Sequence, residues 1–234
     1  DGNTGVGTSV FSALTSGDDN TAMGLCSLRL NTTGANNVAV GMSALTSNVT
    51  GAANTAVGTC ALQNVDANGN NAFGYFALYN TSSGTCNVAI GQDNTRCNTT
   101  GSCNVSIGNQ SLRANTTASN NVAVGTNSLK ANTTGYENIG IGRCALFTNT
   151  EGFQNTGLGS LSLLLNTTGD CNVAVGHQSL QNNTTANNNT AVGNSSLKAN
   201  TTANNNTAVG YSALFTNTTG ADNSAIGYRA LCLN

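Results

Sequence analysis

The chain has no proline, no tryptophan and one histidine, and only 7% of its 234 residues are charged. Each shortage removes a class of function. Seven basic against nine acidic residues, net charge −2, leave no electrostatic footprint for nucleic acid and no cationic amphipathic helix for a membrane surface. The one histidine, His177 in "VGHQS", has no neighbours in sequence that would complete a metal site or a catalytic triad. No apolar run approaches membrane-spanning length, and the chain opens on "DGNTGVG" rather than on a basic segment and an apolar stretch. It reads as a mature chain whose targeting signal has been removed. Helical periodicity is missing as well, because Gly and Asn-Thr-Thr interrupt every apolar run. An enzyme is not expected, nor is a cofactor site.

What the sequence does have is repetition. "NNTAVGNSSLKANTTANNNTAVGYSALFTNTTG" states one unit twice, and the Gly of its "AVG" recurs at Gly7, Gly24, Gly41, Gly58, Gly74, Gly91, Gly108, Gly125, Gly142, Gly159, Gly176, Gly193, Gly210 and Gly227. The step is 17 residues throughout except for one of 16, which shortens the unit at 59–74. Fourteen repeats thus fill residues 1–234 as a single repetitive domain. With that Gly as position 0, positions −3 to −1 alternate bulky and small residues, the mark of a short strand.

A unit of this length is too short for a helix pair and suits one coil of a β-solenoid. The expected fold is all-β, a parallel β-solenoid (β-helix or β-roll) of about 14 coils with 17 residues per coil. Stacked in register, the Asn at position −4 of every unit (Asn3, Asn20, Asn37, Asn54, Asn70, Asn87, Asn104, Asn121, Asn138, Asn155, Asn172, Asn189, Asn206 and Asn223) forms an amide ladder. The Leu column at +4 is expected inside, and Gly at 0 and +10 at corners. A kink or bulge is expected at the short unit. The alternation leaves open which side of the strand faces inward, and inward Val is the working expectation. Outward Val would leave an apolar stripe that needs lateral partners.

Eight cysteines without a CxxC pair suit disulfides and a secretory route. Cys86 and Cys103 share a column on adjacent coils and are the candidate intrachain pair, with Cys97 competing for either. Sequons recur in phase at +7 (Asn31, Asn48, Asn98, Asn115, Asn132, Asn166, Asn183, Asn200 and Asn217), with Asn80 one place earlier. They are candidate N-glycan acceptors, weighed against Asn and Thr serving simply as turn and ladder residues. Sparse basic residues at +5 (Arg29, Arg96, Arg113, Lys130, Lys198) and acids at −6 or −5 read as solvated surface charge.

The columns in "NTAVGYSALFTNTTGADNSAIGYRAL" resemble the N-T-A-[VI]-G-x-x-A-L repeats of phage tail-fibre-like proteins and, more distantly, the head of YadA-type adhesins. That resemblance implies a β-roll, commonly trimeric, in a fibrous surface protein. The 17-residue coil and the plentiful Cys depart from it.

The first and last residues, Asp1 and Asn234, lie almost in phase with each other, so head-to-tail docking of copies would nearly preserve the repeat. The functional expectation is a structural subunit of an extracellular filament or fibril, N-glycosylated, whose partners are copies of itself. The alternative is the shaft or head of a trimeric phage fibre or surface adhesin that binds carbohydrate. A lesser alternative is ice binding through the Thr columns at +8 and +9. All three place the protein outside the cell, on a cell or virion surface.

Overall fold

The computed structural model describes residues 2–233, so the phase of Asp1 and Asn234 lies outside the described residues. The chain forms two compact units, residues 1–119 and 120–234, both built from parallel β-solenoid coils. In the first, β1 (Thr4–Val6), β2 (Thr21–Met23), β3 (Val38–Val40), β4 (Thr55–Val57), β5 (Asn71–Phe73), β6 (Val88–Ile90) and β7 (Val105–Ile107) pair in parallel, each with the next coil. The second repeats this with β8 (Val122–Val124), β9 (Ile139–Ile141), β10 (Thr156–Leu158), β11 (Val173–Val175), β12 (Thr190–Val192), β13 (Thr207–Val209) and β14 (Ser224–Ile226). The register is one full repeat, as in Thr190↔Thr207. The strands are only three residues long because the corner Gly closes each one.

The rest of the coil is laddered as well. Leu28 N–H donates to Ala44 O at 3.1 Å, Leu30 to Thr46 at 3.1 Å and Gly17 to Thr32 at 3.1 Å, each reaching the next coil. Backbone groups that an ordinary loop would leave to water are thus paired along the axis. To aim them there, residues at +2, +4 and −5 take left-handed conformations, including every Leu of the +4 column from Leu28 to Leu231 (φ 46–52°). For a branched side chain that conformation is uncommon, and the axial hydrogen bond together with full burial of the Leu offsets its cost.

The strand faces are the reverse of the inward-Val expectation. Ala39, Ala56, Ala72 and Ala89 at −2 are fully buried, whereas Met23, Phe73 and Ile90 at −1 are 40–50% exposed. The reason is space. A Cβ built on Gly5 would already lie 2.9–3.1 Å from the side chains of Val10 and Phe11, and one on Gly140 3.2 Å from Leu129. Opposite the +4 side chain, position −2 therefore admits only Ala, Gly or Ser, and the bulky neighbours must face out. The core is a thin file of Ala and Leu.

The short unit at 59–74 does not disturb pairing, since β4 and β5 remain in register through Thr55↔Asn71, Ala56↔Ala72 and Val57↔Phe73. In the corresponding turn of an ordinary coil, N–H groups at +8, +9 and +10 converge on one carbonyl of the next coil. Here Val49, Thr50 and Gly51 N–H converge instead on one carboxylate oxygen of Asp66, at 3.1, 2.7 and 3.0 Å. The side chain replaces the backbone acceptor that the missing residue displaces.

Partial burial pushes the Asp66 carboxyl up, but hydrogen bonds from Thr50, Val49 and Gly51 outweigh it and hold its pKa below the ordinary value. A carboxyl depressed in the folded state contributes stability that is present above its unfolded pKa of ~3.9 and is lost as pH falls through the lower folded value. The melting temperature should therefore fall on acidification below about pH 4. In Asp66→Ala it should be lower at neutral pH, and this part of its acid dependence should vanish. Thermal melts of both proteins between neutral pH and pH 2 check this, and identical acid profiles would refute it.

Candidate functional site

The site residues singled out by the sequence fall into three columns. The Asn residues at −4 form a ladder in each unit. Asn37 illustrates the geometry: its Oδ1 accepts from Asn54 N at 3.0 Å and Asn54 Nδ2 at 3.2 Å, while its Nδ2 donates to Asn20 Oδ1 at 3.0 Å and Gly51 O at 2.9 Å. The pattern runs from Asn3 to Asn104 in the first unit and from Asn121 to Asn223 in the second, for example Asn172 to Asn155 at 3.1 Å and Asn223 to Asn206 at 3.1 Å. Within the first, Asn70 keeps the backbone bond to Asn54 Oδ1 and the amide bond to Gly84 O, and gives its other amide hydrogen to Asn68 O at 3.4 Å.

The sequon column at +7 is a second ladder. Asn31, Asn48, Asn98, Asn115, Asn132, Asn166, Asn183 and Asn200 have no exposed surface and Asn217 has 3%. Asn31 Nδ2 donates to Gly34 O at 2.9 Å, the same carbonyl that Asn20 reaches from the other side, and Asn31 Oδ1 accepts from Asn48 Nδ2 at 3.0 Å. The two amide columns are cross-braced through the carbonyl at +10. A glycan is attached through Nδ2, and in these nine residues that atom is engaged inside the coil with no path to solvent. They belong to the interior and cannot carry a sugar in this fold.

A signal for this was present in the sequence. Asn149 sits in the same column although Glu151 breaks its sequon, and it is equally buried and bonded, to Asn132 Oδ1 and Gly152 O. The column keeps Asn, not the sequon.

Of the ten sequon candidates Asn80 alone is exposed, because Thr81 takes the interior position. Four other asparagines in Asn-x-Ser/Thr that fall outside the +7 phase, Asn109, Asn188, Asn194 and Asn205, are also exposed. Between Asn31 and Asn217 the ladder is interrupted at two successive coils, by Val65 and by Thr81. Val65 occupies +7 in the short coil, and the facing Asn48 Oδ1 is left buried without a partner.

Cys86 and Cys103 are exposed free thiols at −5, one coil apart. The backbone ladder holds these positions together, with Cys103 N–H donating to Thr85 O at 3.0 Å. Cα atoms on adjacent coils are ~4.8 Å apart, inside the range a disulfide spans. Mild oxidation is expected to join this pair and to raise stability by up to about 3 kcal/mol for a loop of this length. Non-reducing peptide mapping checks it, and a Cys97 disulfide in its place would refute it.

The remaining surface offers little chemistry. Among the described residues no three His, Cys, Asp or Glu side chains are grouped to hold a metal ion, and no helix is long and apolar enough to cross a membrane. His177 is exposed. A hollow of about 450 Å³ in the second unit lies among Lys198, Tyr211, Phe215, Tyr228 and Arg229, where the rings of Tyr211 and Tyr228 stack on each other at 5.4 Å. Compared with known protein families, curated proteins and solved structures, the chain matches none.

Proposed function

We propose that this β-solenoid is a structural subunit of an extracellular fibre, extended by stacking coil upon coil. The observation that carries this reading is what one coil does for the next. Every Leu of the +4 column from Leu28 to Leu214, each with another coil above it, is fully buried. Each coil thus presents a Leu, a row of backbone groups and two amide columns, and the surface that satisfies all of them is another coil of the same kind. A contact of that type repeats without closing, which is the geometry of a filament. N-glycans in such a fibre belong at Asn80 and the other exposed sequons, on its outside.

Electron microscopy of the purified protein is expected to show filaments with a meridional spacing of ~4.8 Å. In Leu231→Lys, which places a charge on the stacking surface, filaments should be lost while the far-UV spectrum is unchanged. A monodisperse single-chain species in sedimentation of the unaltered protein would end the proposal.

A further inference from the structure

The outward strand face of the first unit is an uncovered surface, directed sideways rather than along the axis. Its −1 column runs from Val6 through Phe73 to Ile107, and Leu25, Met42 and Tyr75 border it. The large apolar residues of this set that stand exposed are 39–56% open. With full side-chain areas of ~150–250 Å² each, they leave roughly 700 Å² of mostly apolar surface uncovered. That exceeds the ~300–600 Å² that is the largest patch of an ordinary monomer and approaches the ~800 Å² each partner buries in a stable interface. Neither the −1 nor the −3 column holds a charged residue in any of the fourteen strands.

We propose that this face pairs with the same face of a second copy, side by side. Two features select a copy over an unrelated partner. An uncharged face offers nothing to a charged ligand, and its side chains recur every ~4.8 Å along the axis, a period that the same face of another copy matches coil for coil. The face also has relief. The −1 column is a ridge where Met23, Phe73, Ile90 and Ile107 stand beside the smaller Thr21, Asn71, Val88 and Val105 of the −3 column, a lower shelf ~7 Å away along the strand. Ridge meets shelf only when the two-fold axis runs along the solenoid, so the copies lie parallel. The opposite orientation sets ridge on ridge and leaves both shelves empty. Sheets packed in this way lie ~10 Å apart.

The pairing does not depend on axial stacking, and the test keeps the two apart. Sedimentation equilibrium of Leu231→Lys, which removes lengthening, is expected to give the mass of two chains. Adding Ile90→Lys and Ile107→Lys, both at outward positions, should weaken this association at least ~100-fold through unpaired buried charge while circular dichroism and the melting temperature stay unchanged. A one-chain or three-chain mass in the Leu231→Lys background, or a two-chain mass that survives both added lysines, overturns the proposal. Orientation is read by mixing Thr55→Cys and Val57→Cys chains. The parallel pair gives the mixed disulfide, and a new disulfide in Val57→Cys alone, at the central strand β4, overturns the parallel arrangement.

Discussion

Alanine in place of Gly41 is expected to disrupt its coil, costing above about 4 kcal/mol from a left-handed backbone penalty and a backbone overlap together. Gly41 has φ +131°, a conformation that side-chain-bearing residues rarely adopt. A Cβ there would lie 2.7 Å from both the C and the O of Gly58 in the next coil. No rotamer relieves the overlap, because the Cβ is fixed to the backbone and the obstacle is itself backbone. Gly227 separates the two contributions: its φ is +129°, but the nearest atom to an added Cβ is Ala230 Cβ at 4.0 Å. In the Leu231→Lys background, where no further coil stacks on it, Gly227→Ala is therefore expected to cost only the conformational part, about 1–3 kcal/mol. Thermal melts of the two variants, with hydrogen exchange at β3 and β4, check the difference. Equal destabilisation would mean that coil spacing does not limit position 0.

The same spacing explains which parts of the fold were legible in the sequence. The repeat, the strand at −3 to −1 and the special role of the Gly at 0 show directly, because each depends on residue type at a fixed interval. The inward face does not. Alternation with a period of two looks the same from both sides of a strand, and what decides it is the closeness of Leu129 to Gly140 or of Phe11 to Gly5 across the coil. The left-handed Leu residues were hidden for a related reason, since propensity assigns that conformation to Gly and Asn and only the axial hydrogen bond makes it worthwhile for Leu. Asp66 could not be read as a backbone substitute without the three N–H groups that meet it. The second amide ladder was obscured by a competing pattern: Asn-Thr-Thr is both a sequon and a ladder rung, and Asn149, which is only a rung, was the residue that told them apart.

That ladder logic sets the second large effect, at Asn37. Replacing it with Ala removes the acceptor of Asn54 N–H and of one Asn54 amide hydrogen, both buried, and leaves a void where the amide was. Gly51 O keeps the Asn48 amide at 2.9 Å, and Asn20 Oδ1 keeps the backbone N–H of residue 37 at 3.0 Å, so the loss is confined to the Asn54 side. Two orphaned donors at about 1–3 kcal/mol each give an expected cost of about 3–5 kcal/mol, a large part of the total stability of an ordinary domain. Asn48→Ala should cost clearly less, because Asn48 Oδ1 already lacks a partner opposite Val65. Asn37→Asp separates geometry from charge. Its carboxyl, buried and facing Gly51 O, is disfavoured as an anion, so its folded pKa lies above the unfolded value of ~3.9. Stability is then retained below that unfolded value, where a protonated oxygen can donate to Gly51 O, and falls as pH rises through the folded pKa. Asn37→Ala should show no such rescue in acid. Melting temperatures of the three variants at pH 3 and pH 7 test the account, and equal losses at Asn37 and Asn48 would show that stacked carbonyls rather than amide columns hold the coils together.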